Sequence, residues 1–189
     1  MTGLPNQPTQ PNSPKPVPAW LVIFALAGLL GFLGFLAVGM KKMTSPPLVI
    51  GDVVPDFSLT TFDGEVFNTS ELRGKVILVN FWASWCPACK DEAAFLEQVW
   101  REYQSAGDVL FLGVDYVDTE KEALAYLEKF GITYPNGPDL RTQISQIFRV
   151  RAVPETYLIG KDGKLASLKI GPFASADEIR QMLDRELME

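Results

Sequence analysis

Between Ala19 and Met40 the chain carries no charged side chain, and as a helix at about 1.5 Å per residue it would span roughly 33 Å, the depth of a bilayer core. A core helix would leave one face polar, and the apolar part of a cleaved signal is shorter, so the pattern predicts a transmembrane helix over 19–40. Ala37 and Gly39 resemble a cleavage site, which leaves removal of the segment open. Residues 1–18 are rich in Pro, Asn, Gln and Thr with Lys15 the one charged side chain, and read as a disordered leader. A linker over 41–50, with a Thr-Ser-Pro-Pro segment, then leads into a folded domain over 51–189.

Within that domain the periods change along the chain. Residues 56–61, an Asp63-Gly64 turn and residues 65–68 alternate as a β-hairpin. Lys75 to Phe81 reads as a buried central strand. From Pro87 to about Gln104, Cys89, Ala93, Leu96, Trp100 and Tyr103 recur at three- and four-residue steps, an amphipathic helix with Pro87 in its first turn. Val109–Asp115 predicts a strand and Thr119–Phe130 a helix ended by Gly131. A turn is expected around Asn136-Gly137-Pro138 and a short helix over Leu140–Phe148. Thr156–Ile159 and Lys164–Ile170 predict a last hairpin, and Ser175 the start of a C-terminal helix. The order β-α-β-α-α-β-β-α after an added hairpin specifies an α/β fold, a mixed sheet flanked by helices.

Composition narrows the chemistry. The 189 residues suit one domain plus an anchor. A net charge of −6 with no visible basic patch speaks against a nucleic-acid partner. The chain has no histidine, which removes Ser/His/Asp and Cys/His hydrolases and His-ligated haem. Its two cysteines alone cannot complete a zinc shell. No metal and no cofactor are expected.

Those cysteines, Cys86 and Cys89, fall together in Phe-Trp-Ala-Ser-Trp-Cys-Pro-Ala-Cys, at the join of strand and helix. A helix N-terminus offers unpaired N–H groups and positive partial charge, which favour a thiolate at the first cysteine. The three-residue step lets the second sulfur reach the first. This is the pattern for dithiol–disulfide exchange, with Cys86 attacking and Cys89 resolving. Glu92, one helical turn past Cys89, is placed to take the resolving proton, although a solvated surface glutamate fits the same position. Val153-Pro154 precedes a strand, where an X-Pro bond in the cis form would turn the backbone toward the dithiol.

These residues carry a resemblance. The 81–89 motif with Val153-Pro154 is similar to the thioredoxin superfamily. The lead-in Gly51-Asp-Val-Val-Pro-Asp-Phe with Leu72-Arg-Gly-Lys, and then Gly113-Val-Asp-Tyr and Pro154-Glu-Thr-Tyr-Leu-Ile, resemble its membrane-anchored cytochrome c biogenesis branch, of the CcmG/DsbE, ResA and TlpA type. The resemblance covers about residues 50–187. It implies a thioredoxin fold with an extra N-terminal β-hairpin and a central insertion between Asp115 and Pro154. Cys86 would be the nucleophile, Cys89 the resolving thiol, Glu92 a tuning acid and Glu155 a second acid. Trp85, Pro87, Val153, a cis Pro154 and Glu155 would border the substrate groove. It further implies reduction of the Cys-x-x-Cys-His disulfide of apocytochrome c, with electrons from a transmembrane thiol-disulfide donor of the CcdA or DsbD type.

The chain departs from general thioredoxins in carrying Asn80 where they hold a buried aspartate, which shifts proton handling to Glu92 and Glu155. Trp82 and Trp85 divide between packing and groove wall. Peroxiredoxins share the lead-in, but their threonine and proline positions hold Ala83 and Val79 here. A non-catalytic binding module, or a general extracytoplasmic disulfide reductase or oxidase, also fits the residues. Charge does not orient the anchor, since Lys15 faces Lys41 and Lys42 across it. The redox chemistry of a lone dithiol places the domain on the extracytoplasmic side of the cell membrane.

Overall fold

The computed structural model describes residues 18–43 and 47–188. The expected leader, apart from Pro18, and residues 44–46 of the expected linker lie outside these. The chain divides into two units, one ending at Pro46 and one beginning at Pro47.

The first unit holds helix α1 (Ala19–Met43). It continues three residues beyond the charge-free stretch because Lys41 and Lys42 are good helix formers. Trp20, Phe24, Leu30 and Phe35 are all exposed, and Ala19–Leu36 is long and apolar enough to cross a membrane. A helix apolar on every side has no polar face to give to water.

In the second unit a hairpin of β1 (Ser58–Thr60) and β2 (Val66–Asn68) precedes a five-stranded mixed sheet in the order β5-β4-β3-β6-β7. All seven residues of β3 (Val76–Trp82) are buried, as a β-branched and aromatic run covered on both faces should be. Parallel β4 (Val109–Asp115) and antiparallel β6 (Glu155–Ile159) flank it, and β7 (Leu165–Ile170) pairs with β6.

On one face pack α2 (Pro87–Tyr103), α3 (Glu120–Phe130) and α5 (Ala176–Leu187). Leu96, Val99, Ile179 and Leu183 cover Leu78, Phe111 and Leu158, while Ala93, Ala123 and Tyr126 surround Trp82 and the two cysteines. Phe57, Leu59 and Phe148 cover Val79, Phe81 and Tyr157 on the opposite face. Thr119 and Ser175 cap α3 and α5, each accepting the N–H of the third residue on.

Two expectations are corrected. The turn expected around Asn136-Gly137-Pro138 is instead β5 (Asn136–Pro138), a short edge strand parallel to β4. Gly137 is needed there because a Cβ would meet the Thr60 carbonyl oxygen at 2.2 Å, and an edge strand tolerates Pro138. The expected helix over 140–148 is broken: Arg141 and Thr142 adopt left-handed backbone, so a tight turn precedes a shorter α4 (Gln143–Phe148). Asp139 fixes the restart, its two carboxylate oxygens accepting the N–H groups of Ile144 and Ser145 at 2.9 and 2.8 Å.

Candidate active site

Strand β3 ends at Trp82, and a short turn delivers Cys86 to the N-cap of α2. Cys86 and Cys89 form a disulfide with their Cα atoms 5.3 Å apart. The N–H of Cys89 points at the Cys86 sulfur from 3.1 Å, and Pro87 occupies the first helical turn. Once the pair is reduced, that N–H and the helix end stabilise negative charge on the Cys86 sulfur more than on Cys89, one turn inside. Both cysteines are nearly covered, at 3% and 1% exposure.

Opposite them, the Val153–Pro154 peptide bond is cis, and the Val153 carbonyl oxygen lies 3.4 Å from the Cys86 sulfur. Trp85 stands on the surface beside Cys86, 54% exposed, its indole N–H donating to the Val117 carbonyl at 3.1 Å. Trp82 has a different position. It is buried, stacked on Tyr126 at 4.5 Å, and donates to Asn136 Oδ1 at 2.8 Å. The Tyr126 hydroxyl in turn donates to the Cys89 carbonyl at 2.8 Å, joining α3 to the redox helix.

Glu92 is 1% exposed, so it is a core residue and not a solvated one. Its Oε1 accepts from Asn80 Nδ2 and its Oε2 from the Phe173 N–H, each at 2.9 Å. Asn80 also donates to Thr156 Oγ1 at 2.9 Å. Burial pushes the Glu92 carboxyl up to about 7, against the lowering effect of the two hydrogen bonds. Asn80, a polar residue within an apolar strand, thus cradles an acid near neutrality in place of being one. This partnership is absent from one-dimensional periodicity, although the lone Asn in β3 signals that some buried partner exists.

Glu155 is placed otherwise. It is buried on β6, where Oε1 accepts the N–H groups of Arg151 and Ala152 at 3.2 and 3.3 Å, and Oε2 accepts the Tyr157 hydroxyl at 2.6 Å. Side chains alternate along a strand. Thr156 therefore faces Asn80 and Glu92, while Glu155 and Tyr157 face the other side of the sheet. The structure brings Cys86, Cys89, Trp85, Pro87, Val153 and Pro154 together, with Glu92 behind them on α2. Glu155 instead braces the loop that presents Pro154.

A buried sulfur pair at a helix N-terminus, faced by a cis-proline loop and backed by an acid near neutrality, on a mixed sheet with helices on both faces, defines a thioredoxin-fold thiol–disulfide oxidoreductase. The sequence profile of the AhpC/TSA family matches residues 50–168, and the chain belongs to this thioredoxin-like family. It is 31% identical over 137 residues to the thiol-disulfide oxidoreductase ResA of Geobacillus thermodenitrificans, covering 72% of this chain and 78% of that one. To the thiol:disulfide interchange protein DsbE of Allochromatium vinosum it is 34% identical over 158 residues, covering 79% and 83%. Among solved structures, a thioredoxin-family thiol:disulfide interchange protein of Chlorobium tepidum superposes with a TM-score of 0.66 at 26% identity, covering 76% and 98%. Val79, where a peroxiredoxin carries proline, lies inside β3 between Leu112 and Tyr157, a central position that proline cannot occupy.

Proposed function

We propose that the chain is a membrane-tethered reductant that opens the Cys-x-x-Cys-His disulfide of apocytochrome c before haem attachment, working on the extracytoplasmic side. The reading rests on the Cys86–Cys89 pair at the start of α2, supported by the likeness to ResA and DsbE and by the apolar helix α1. The Cys86 thiolate attacks one sulfur of the substrate disulfide, forming a mixed disulfide and releasing the other sulfur as a thiolate. Cys89 then gives up its proton and attacks the Cys86 sulfur, which expels the reduced substrate and leaves Cys86–Cys89 oxidised. Glu92, an acid near neutrality one turn along α2, takes the Cys89 proton and returns it when the pair is reduced again. Trp85, Pro87 and the Val153–Pro154 loop form the groove in which the substrate strand lies. Two electrons per cycle come from a transmembrane dithiol donor of the CcdA or DsbD type, and α1 holds the domain at the bilayer.

The test is the equilibrium reduction potential of the Cys86–Cys89 pair, with a direct assay of the reduced protein on an oxidised Cys-x-x-Cys-His peptide. A potential below about −220 mV with stoichiometric peptide reduction is expected of a donor. A value near −120 mV, roughly that of a disulfide-forming oxidant, would overturn the reductive direction.

A further inference from the structure

Val117, in the loop between β4 and α3, holds its backbone at φ 49°, in the left-handed region where a β-branched residue is strained. Such a conformation persists only where its surroundings over-determine it. Three bonds from this loop to the turn that delivers Cys86 supply the constraint. The Tyr116 N–H donates to the Trp82 carbonyl at 2.8 Å, the Val117 carbonyl accepts the Trp85 indole N–H at 3.1 Å, and Asp118 Oδ2 accepts the Ser84 N–H at 2.6 Å. Burial does not offset the strain, because Val117 is 61% exposed. Glycine or asparagine would hold the same backbone at less cost, so the fold by itself gives no reason for valine here.

The polar groups of the loop are turned onto the protein. Asp118 uses one carboxylate oxygen on the Ser84 N–H and the other on the Thr119 N–H, and the Trp85 indole N–H is taken by the Val117 carbonyl. That bond holds two exposed apolar residues next to each other, Val117 and the 54% exposed Trp85. Trp85 directly precedes Cys86, and across the Cys86 sulfur stands Val153, whose carbonyl oxygen lies 3.4 Å from it.

What covers this rim follows from the exchange reaction. A substrate sulfur that bonds to Cys86, itself only 3% exposed, brings its own chain over the turn. An extended strand advances about 3.3 Å per residue, so the residues flanking the substrate cysteine lie within reach of Trp85 and of the residue bonded to it.

We propose that Val117 is a specificity-determining residue of the exchange reaction: with Trp85 it forms an apolar rim that takes an apolar side chain flanking the attacked cysteine of the substrate polypeptide. Glycine or asparagine at 117 would relax the backbone and leave the rim without its second apolar side chain. Tyr116 and Asp118 are positioning residues that fix the loop against the redox turn. Val117 acts only by contact with the substrate strand, and bonds and electrons pass between sulfurs as described above. The proposal rests on Cys86 being the attacking sulfur of the proposed function, and not on the substrate being a cytochrome.

The experiment offers the reduced full-length chain in detergent two disulfide-bridged peptides, identical but for Leu or Ser at the positions flanking the cysteines. The second-order rate of exchange is measured for the native chain, Val117→Gly and Val117→Asn. The native chain is expected to prefer the Leu peptide about tenfold, the scale of one apolar side chain leaving water at an open rim. Both variants are expected to lose most of that preference. Their urea midpoints should equal the native value or exceed it, because the strained backbone is relieved. Iodoacetamide, which has no chain to lay on the rim, should still modify Cys86 at the native rate. Equal native rates for the two peptides, or a preference kept in both variants, would overturn the proposal. So would variants whose midpoints fall and that slow both peptides alike, since that is the mark of a purely structural role. Reduction of neither peptide would overturn the reductive direction alone, and the preference is then read with the oxidised chain and the same peptides as dithiols. Iodoacetamide modification of Cys89 in place of Cys86 would overturn the assignment of the attacking sulfur and the proposal with it.

Discussion

Replacing Glu92 with Gln tests the buried acid behind the dithiol through stability, independently of any substrate. The unfolded chain holds this carboxyl near 4.5 and the folded chain near 7. Between those values the native state binds more protons than the unfolded state, so stability falls as pH rises through the window and is flat outside it. The fall integrates to on the order of 3 kcal/mol. In Glu92→Gln this fall disappears. The neutral amide has one oxygen to offer the Asn80 amide and the Phe173 N–H, so one buried donor loses its acceptor at a cost of about 1–3 kcal/mol. At low pH, where native Glu92 is protonated and uncharged, the variant is expected to be the less stable protein. Above pH 7, where the native carboxylate is buried in charged form, the difference narrows or reverses. Urea unfolding of both oxidised proteins from pH 4 to 9, followed by circular dichroism, reads the crossing directly. Equal pH slopes for the two would refute the placement of Glu92 as a buried acid titrating near neutrality.

Other outcomes follow from the same geometry. Cys86→Ser is expected to abolish disulfide exchange, whereas Cys89→Ser should accumulate a mixed disulfide visible by non-reducing electrophoresis and mass spectrometry, because the first attack survives and resolution does not. Gly113→Ala would put a Cβ 1.7 Å from Asn136 Oδ1, displacing the acceptor of the Trp82 indole; a loss of about 1–3 kcal/mol is expected in denaturant unfolding. Glu155→Gln replaces the Oε2 that accepts the Tyr157 hydroxyl with an amide donor, which leaves that hydroxyl the Phe148 carbonyl alone and takes the charge from the acceptor of the 151–152 N–H groups. It should lower stability by about 1–3 kcal/mol and slow exchange through the Pro154 loop, without removing the pH dependence assigned to Glu92.

Periodicity, capping residues and the spacing of two cysteines were enough to specify the anchor-like helix, the central strand, the redox helix and the dithiol, because each depends on residues close together in the chain. The site's acid also followed from local spacing, since Glu92 shares a helix with Cys89. Its protonation did not, being set by burial under Phe173 and by an Asn80 amide on another strand. Residues 136–138 look like a turn by composition, and only the neighbouring edge of β4, with Gly113 leaving room for the Asn136 side chain, makes them a strand. Glu155 directly follows the groove proline in sequence, yet strand alternation sends its side chain to the far face of the sheet. The hold that the loop after β4 has on the Ser84–Trp85 turn had no sequence signal, because it arises from Asp118 accepting the Ser84 N–H and the Val117 carbonyl accepting the Trp85 indole N–H, contacts across more than thirty residues. Local steric preference and helix electrostatics act along the chain and are written in it, whereas the charge state of a buried group depends on which distant segments exclude water from it.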